Sequence, residues 1–343
     1  MAKINIKNKG IMIAVLFALL FILFILCLSL GSVKISPTDI FRALIPGGKL
    51  NDAGDIPQKT IIIIRNIRLP RVIGGLLAGV GLSVAGVILQ GVMNNALASP
   101  NTIGVGSGAG FFVMLSLLLF PGKVWAQPVF AFFGALLATL SIFVLAYFSD
   151  TSRITIILAG ITVSSFLSAG INLIKTLNTD IIININSFLM GNLSGVTFKS
   201  IALPSIGITT GFIFAVLLSR PLNLLGLGDN VAASLGMRVS LARFLLLVIS
   251  SILAGCVVSF GGILSFAGLI VPHICRKLFG NDARFLIPCS ALLGGSFVML
   301  CDLLSRILFA PYELPTGIIM SFVGGPFFMY LILRKKGGRR LHA

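Results

Sequence analysis

Apolar positions along this chain come in long unbroken runs rather than in the alternation of a half-buried strand or the stripe of a surface helix. The first covers residues 11–30 and the second, residues 72–92, has no charged side chain at all. At about 1.5 Å per helical residue, some twenty such residues cross a bilayer core. Further runs cover 104–120, stopped by Pro121 and Gly122, then 128–148, 154–174, 201–218 and 244–260. Gly261 and Gly262 turn the chain into a short run over 263–274, and two more cover 285–304 and 316–333. The pattern predicts an all-α polytopic membrane protein of about ten transmembrane helices, with both termini on one side and one membrane domain over 1–343.

Polar stretches punctuate the runs. Residues 31–71 form a long connection broken by Pro37, Pro46, Gly47, Gly48, Gly54 and Pro57. Residues 175–200 are too rich in Asn, Ser and Thr to span, and predict a short helix capping one end of the bundle. Residues 219–243 form a second polar loop, and 334–343 a basic tail. Within the run over 72–92, Gly75, Gly79 and Ser83 fall four apart, with Gly91 further along the same stripe, so another helix backbone can approach this face closely.

Composition agrees with this reading. Of 343 residues 57% are hydrophobic and only 10% charged, against roughly 25% charged in a soluble domain. No stretch is long enough for a soluble catalytic domain, so an energy source must lie on another chain or in an ion gradient. The net charge of +17 reflects topology, not nucleic acid, because the cations sit in loops and tails. With the N-terminus inside, the inner segments hold Lys3, Lys7, Lys9, Arg153, Arg220, Arg238, Arg243, Arg276, Lys277, Arg284, Arg334, Lys335, Lys336, Arg339 and Arg340. Beyond the first loop, the outer segments hold only Lys123, Lys175, Lys199 and Arg306. This asymmetry places both ends in the cytoplasm and the protein in the cytoplasmic membrane. The first outer loop breaks the rule with Lys34, Arg42, Lys49, Lys59, Arg65, Arg68 and Arg71, which points to a binding role for that cluster.

Several chemistries find no support. Cys27, Cys256, Cys275, Cys289 and Cys301 stand singly in apolar runs, as small buried side chains rather than a disulfide framework. His273 has no ligand-spaced partner, and no metal or cofactor site is expected. No G-x-x-x-x-G-K-[ST] loop is present, which removes the commonest route to ATP. No Asp or Glu lies in the middle of a predicted span, as an ion-coupled carrier would use. No set of residues suggests catalysis.

Three regions carry candidate sites. Arg68 and Arg71 straddle Leu69-Pro70, which reads as a rigid turn presenting two guanidinium forks to a carboxylate-bearing partner; the alternative is snorkelling to lipid headgroups. Arg306 stands four residues after Asp302 and can pair with it on one helix. Arg65 reads as a surface charge. In the 219–243 loop, Asp229 can cap a short helix starting near Asn230. Val231, Ala232 and Leu235 then form one apolar stripe, and Gly236 ends the helix. Its small residues and low positive charge suit a partner's groove better than a lipid surface. Thr162, Ser164, Ser165, Ser168 and Asn172 lie along the fifth run, where they either line a path or bond their own backbone.

The sequence resembles the FecCD permeases, transmembrane subunits of binding-protein-dependent ABC importers for iron-siderophores, haem and cobalamin. The likeness runs from about Ile35 to Arg334. It rests on RLPR at 68–71, LQGVMNNALASP at 89–100, FLMGNLSGVTF at 188–198, LGLGDNVAASLGMRV at 225–239, SFAGLIVPHICR at 265–276 and ELPTGIIMSFVGGPFFMYLI at 313–332. Ala96 and Ser99 stand where the family usually has Pro and an acid. The resemblance implies that Arg68, Arg71 and Arg306 meet acidic residues of an extracytoplasmic substrate-binding protein. It also implies that Asp229, Asn230, Val231, Ala232, Leu235 and Gly236 couple to an ABC ATP-binding subunit, and that Asn95 and Leu97 form an inner gate. A second permease subunit, identical or sister, completes the expected assembly. Iron(III)-siderophore is the expected cargo, with haem or cobalamin as the alternative.

Overall fold

The computed structural model describes residues 6–31, 35–44, 58–148, 153–178 and 182–337, and every regular element among them is helical. Helix α1 is Ile6–Ser29, α2 Pro37–Leu44 and α3 Gln58–Ile62; a π-helical turn, Ile63–Arg68, leads without a break into α4, Leu69–Val92. A 3₁₀ turn at Pro100–Ile103 precedes α5 (Val105–Leu119), α6 (Ala126–Phe148), α7 (Arg153–Leu177), α8 (Ile182–Met190) and α9 (Phe198–Leu217). Two short helices follow, α10 (Ser219–Leu227) and α11 (Asp229–Ser234), then α12 (Val239–Gly261), α13 (Ala267–Phe279), α14 (Ala283–Ile307) and α15 (Thr316–Gly337). The middle of the first predicted loop, 45–57, and the tail beyond 337 lie outside the described residues.

Each of the ten predicted runs falls on a helix, but among the described residues only seven helices are long and apolar enough to cross a membrane. The run over 104–120 is α5, of 15 residues, that over 263–274 is α13, of 13 residues, and the last run lies on α15. Two of these are short because the chain spends residues on entry turns. Gly104 (φ +76°) and Phe266 (φ +67°) sit in the left-handed region immediately before α5 and α13. The predicted cap over 175–200 contains α8. The 219–243 loop holds two helices because Gly228 (φ +112°) breaks it in the middle.

Helix α4 is the centre of the bundle, packed on α14, α12, α13 and α9. Small residues make that possible. A Cβ on Gly79 would overlap the Gly294 carbonyl of α14, and one on Gly86 would overlap the Gly268 carbonyl of α13. Ser83 donates its hydroxyl to the Ser290 carbonyl at 2.7 Å. The predicted small-residue stripe is therefore a helix contact at Gly79 and Ser83, while Gly91 admits Leu222 of α10. All five cysteines are buried and free.

Candidate functional site

The candidate site residues gather toward the two opposite ends of α4. At its start the structure brings Arg68, Arg71 and Arg306 together, as the sequence predicts, but turns them inward. All three are at most 5% exposed. Leu69-Pro70 is no turn: Pro70 stands at the start of α4, and helix runs through it from the π-helical stretch before it. The forks consequently close onto protein groups. Arg68 Nη1 donates to the carbonyls of Leu28 (2.6 Å) and Ser29 (2.9 Å), and Arg306 Nη1 to those of Cys27 (3.1 Å) and Leu30 (3.2 Å). These belong to the last turn of α1, whose carbonyls have no partner within their own helix. Two guanidiniums from distant parts of the chain thus cap the first helix.

Arg71 completes the cluster. Its Nε donates to both carboxylate oxygens of Asp302, at 3.0 and 3.1 Å, and its Nη1 to Glu313 at 2.7 Å. The Arg306–Asp302 pair anticipated at four-residue spacing is present at 3.3 Å, and the Thr316 hydroxyl donates to Asp302 at 3.0 Å. Asp302 is buried between two cations, whereas Glu313 is more than a third exposed. Arg65 is not a surface charge: it is half-buried and its Nε reaches the Ala43 carbonyl of α2 at 2.5 Å. Glu313 lies within the quoted 313–332 motif, yet its partner is 242 residues away in sequence and no local spacing reveals it.

At the other end of α4 the chain unwinds through Asn94, which adopts a left-handed φ of +45°, tolerated by Asn better than by most side chains. Asn95 Oδ1 accepts the Leu97 N–H at 2.9 Å, closing an Asx turn that holds both side chains outward; Leu97 is 56% exposed. Ser99 and Thr102 form a reciprocal capping box that restarts the helix. Behind Asn94 and Asn95 lies a cavity of about 550 Å³ that reaches Gln90, Asn223 of α10, Arg276 of α13, and Asp282. Asp282 caps α14, and its hydrogen bonds with Arg284 and Asn223 hold its carboxyl at about 2, below the usual 3.8. Its stabilising contribution is therefore present above the ordinary carboxylate range and disappears as pH falls toward 2.

Gln90 is a residue that sequence reasoning missed. Pro272, inside α13, has no N–H to offer the Gly268 carbonyl four residues earlier. Gln90 Nε2 supplies the missing donor at 3.1 Å, and its Oε1 accepts from Arg276 of the same helix. A glutamine 3% exposed in a membrane helix thereby restores the hydrogen bonding of its broken neighbour. Gln90→Leu should cost about 1–3 kcal/mol, read as a lower thermal midpoint of the purified protein, while Gln90→Glu should keep the Arg276 contact and lose the one to Gly268.

The polar loop juts from this same end. Asp229 does not cap α11; Gly228 holds that position and Asp229 is the first helical residue. Its carboxylate accepts from Arg243 Nη2 of α12 at 2.8 Å. The predicted stripe divides: Ala232 is fully buried, while Val231 and Leu235 are 45% and 61% exposed. Gly236 ends the helix with φ +83°, as anticipated. On α7, Thr162 bonds its own backbone at Leu158, but Ser164, Ser168 and Asn172 face a groove of about 420 Å³ shared with Asn101 and Ser107. His273 packs edge-on against Phe327, and no metal-binding group exists among the described residues.

The FecCD transport family model matches residues 19–334. The chain belongs to that family. It is 38% identical to the ABC transporter permease protein YvrB of Bacillus subtilis, over 95% of this chain and 94% of that one. It is 35% identical to the iron(3+)-hydroxamate import system permease protein FhuG of the same organism, over 95% and 98%. Among solved structures, an inward-facing metal-chelate type ABC transporter superposes with a TM-score of 0.81 at 27% identity, covering 95% of this chain and 99% of the other. This FecCD chain is therefore a multi-pass membrane permease.

Proposed function

We propose that this FecCD permease carries an iron(III)-siderophore into the cytoplasm as the transmembrane subunit of an ABC importer of the cytoplasmic membrane. The observation that carries the reading is α11: a short helix outside the bundle with Val231 and Leu235 uncovered, next to a loop gate and cavity. In water an exposed apolar pair on a projecting helix is a surface for a partner, and an ABC ATP-binding subunit is the partner that an importer lacking a P-loop needs. The hydroxamate system named for a relative of matching length supports an iron chelate as cargo.

In this reading the Asn95 and Leu97 turn is the inner gate, and the hydroxyl-lined groove of α7 belongs to the path, completed by a second permease subunit. ATP hydrolysis and all bond-breaking reside on the partner; this chain contributes differential contacts in two conformations. An extracytoplasmic binding protein docks at the start of α4. There Arg68, Arg71 and Arg306 act by fixing the end of α1 and the position of Glu313, so the docking surface is shaped by them rather than formed from bare guanidiniums. Leu235→Asp should lower ATP-driven uptake of an iron(III)-trihydroxamate chelate into vesicles at least tenfold, with the ATPase co-purifying less well. Normal uptake and normal co-purification would remove the coupling role.

A further inference from the structure

Arg243 carries the sign of a topology-setting charge and forms one side of an ion pair. Its position is unusual for either. It lies in the second turn of α12, a membrane helix, and is 2% exposed. A guanidinium taken out of water is costly unless a counter-charge meets it in good geometry. The Asp229 carboxylate does so at 2.8 Å. The aspartate comes from the first residue of α11, on the far side of that short helix from its exit.

The exit is fixed as well. The Gly236 N–H donates to the Ala233 carbonyl at 2.9 Å and the Met237 N–H to the Ala232 carbonyl at 3.1 Å, closing a tight turn that delivers the chain into α12. Ala232, on the face between these two attachments, is completely buried. Helix α11 is thus held to α12 at its start by an ion pair and at its end by the turn, and it packs against α10 as well. Val231 and Leu235 point the other way. A helix held at two ends cannot pivot on its support, so a push on its exposed face is passed on.

We propose that Arg243 is a positioning residue that welds α11 to α12 through Asp229, so that movement of a partner pressing on Val231 and Leu235 is delivered to α12 as one rigid body. From α12 it reaches α4, α6 and α9, the helices packed against it. The proposal rests on the reading of α11 as the surface that a partner ATPase contacts. It adds that the ion pair, and not the turn alone, makes the contact productive. Arg243→Lys keeps the charge and loses the planar fork; Asp229→Asn keeps the shape and loses the charge.

The test uses the complete transporter, with ATPase and binding protein, in lipid vesicles. Spin labels are placed at Asn230→Cys on α11 and Leu245→Cys on α12, both exposed positions, in a background whose native thiols are buried. With Asp229 and Arg243 intact, one narrow distance should persist with and without ATP and vanadate. Asp229→Asn should broaden it, and Asp229→Arg with Arg243→Asp should narrow it again. The chelate delivered per ATP hydrolysed, measured with an iron(III)-trihydroxamate, should fall at least fivefold in Asp229→Asn and less in Arg243→Lys. A narrow distance in Asp229→Asn, or a broadened one with an unchanged ratio, overturns the proposal. Leu235→Asp separates the two readings: if it leaves the ratio unchanged, α11 is not the coupling surface. If it lowers the ratio while Asp229→Asn does not, only the weld is wrong.

Discussion

An Asp302→Ala variant should yield little folded protein, with stability lower by about 3–5 kcal/mol, the usual consequence of stripping one partner from a buried ion pair. Asp302 is buried and accepts from Arg71, Arg306 and Thr316 at once. Removing it takes a buried counter-charge from two buried guanidiniums and leaves Arg71 with Glu313, and both arginines are held in place by fixed helices. Asp302→Asn keeps the acceptor at one oxygen and should lose less. The five buried thiols provide the measurement: a thiol-reactive dye reads their exposure on heating. A wild-type melting curve for Asp302→Ala would show that the cluster contributes no net stability. The same geometry changes what a charge reversal at Arg68 and Arg71 means. Glutamates there would face the carbonyls of α1 and two carboxylates, so loss of transport in that variant would report unfolding as much as lost docking.

A second large effect is expected at Gly86. Even the single methyl of Gly86→Ala would overlap the Gly268 carbonyl, a backbone group that cannot rotate aside. Overpacking of a core typically costs about 1–3 kcal/mol. Here the strain falls on two helix backbones, so a loss of at least ~3 kcal/mol is expected at the upper end of that range. The alternative response is separation of α13 from α4. Gly10→Ala is the control, since nothing lies within 4 Å of its Cβ. Its higher helix propensity should leave stability unchanged or raise it by up to ~1 kcal/mol. If Gly86→Ala melts with the control, the α4–α13 contact is looser than the structure shows.

The membrane architecture is legible in the sequence because hydrocarbon is an unforgiving solvent. Each apolar run had to be a helix, the cysteines had to be inert, and the i,i+4 relation of Asp302 and Arg306 named a real pair. What escaped was set by distance along the chain. Arg71 finds its acids 231 and 242 residues away, and nothing near RLPR says whether its forks open outward or close inward. Pro70 misled for a related reason: proline fits a helix's first turn as well as it fits a bend. Arg243 shows only its sign in the sequence, and Asp229 reads as a cap because capping is the local use of an aspartate before a helix. The Gln90 clamp was readable in principle, since Pro272 inside a helical run announces an orphaned carbonyl, although not which side chain would answer it.

The arginine caps on α1 also impose a timetable. Helix α1 is made well before α14, yet two of the donors to its end come from Arg306. At ~5–20 residues per second, tens of seconds pass between synthesis of Arg68 and of Arg306. During that interval the end of α1 has only the Ile35 N–H, Arg68 and water to serve its carbonyls, and its seat against α14 does not yet exist. Helix α1 is thus locked long after it is made, and nascent chains halted short of α14 should remain open to proteolysis just after Ser29.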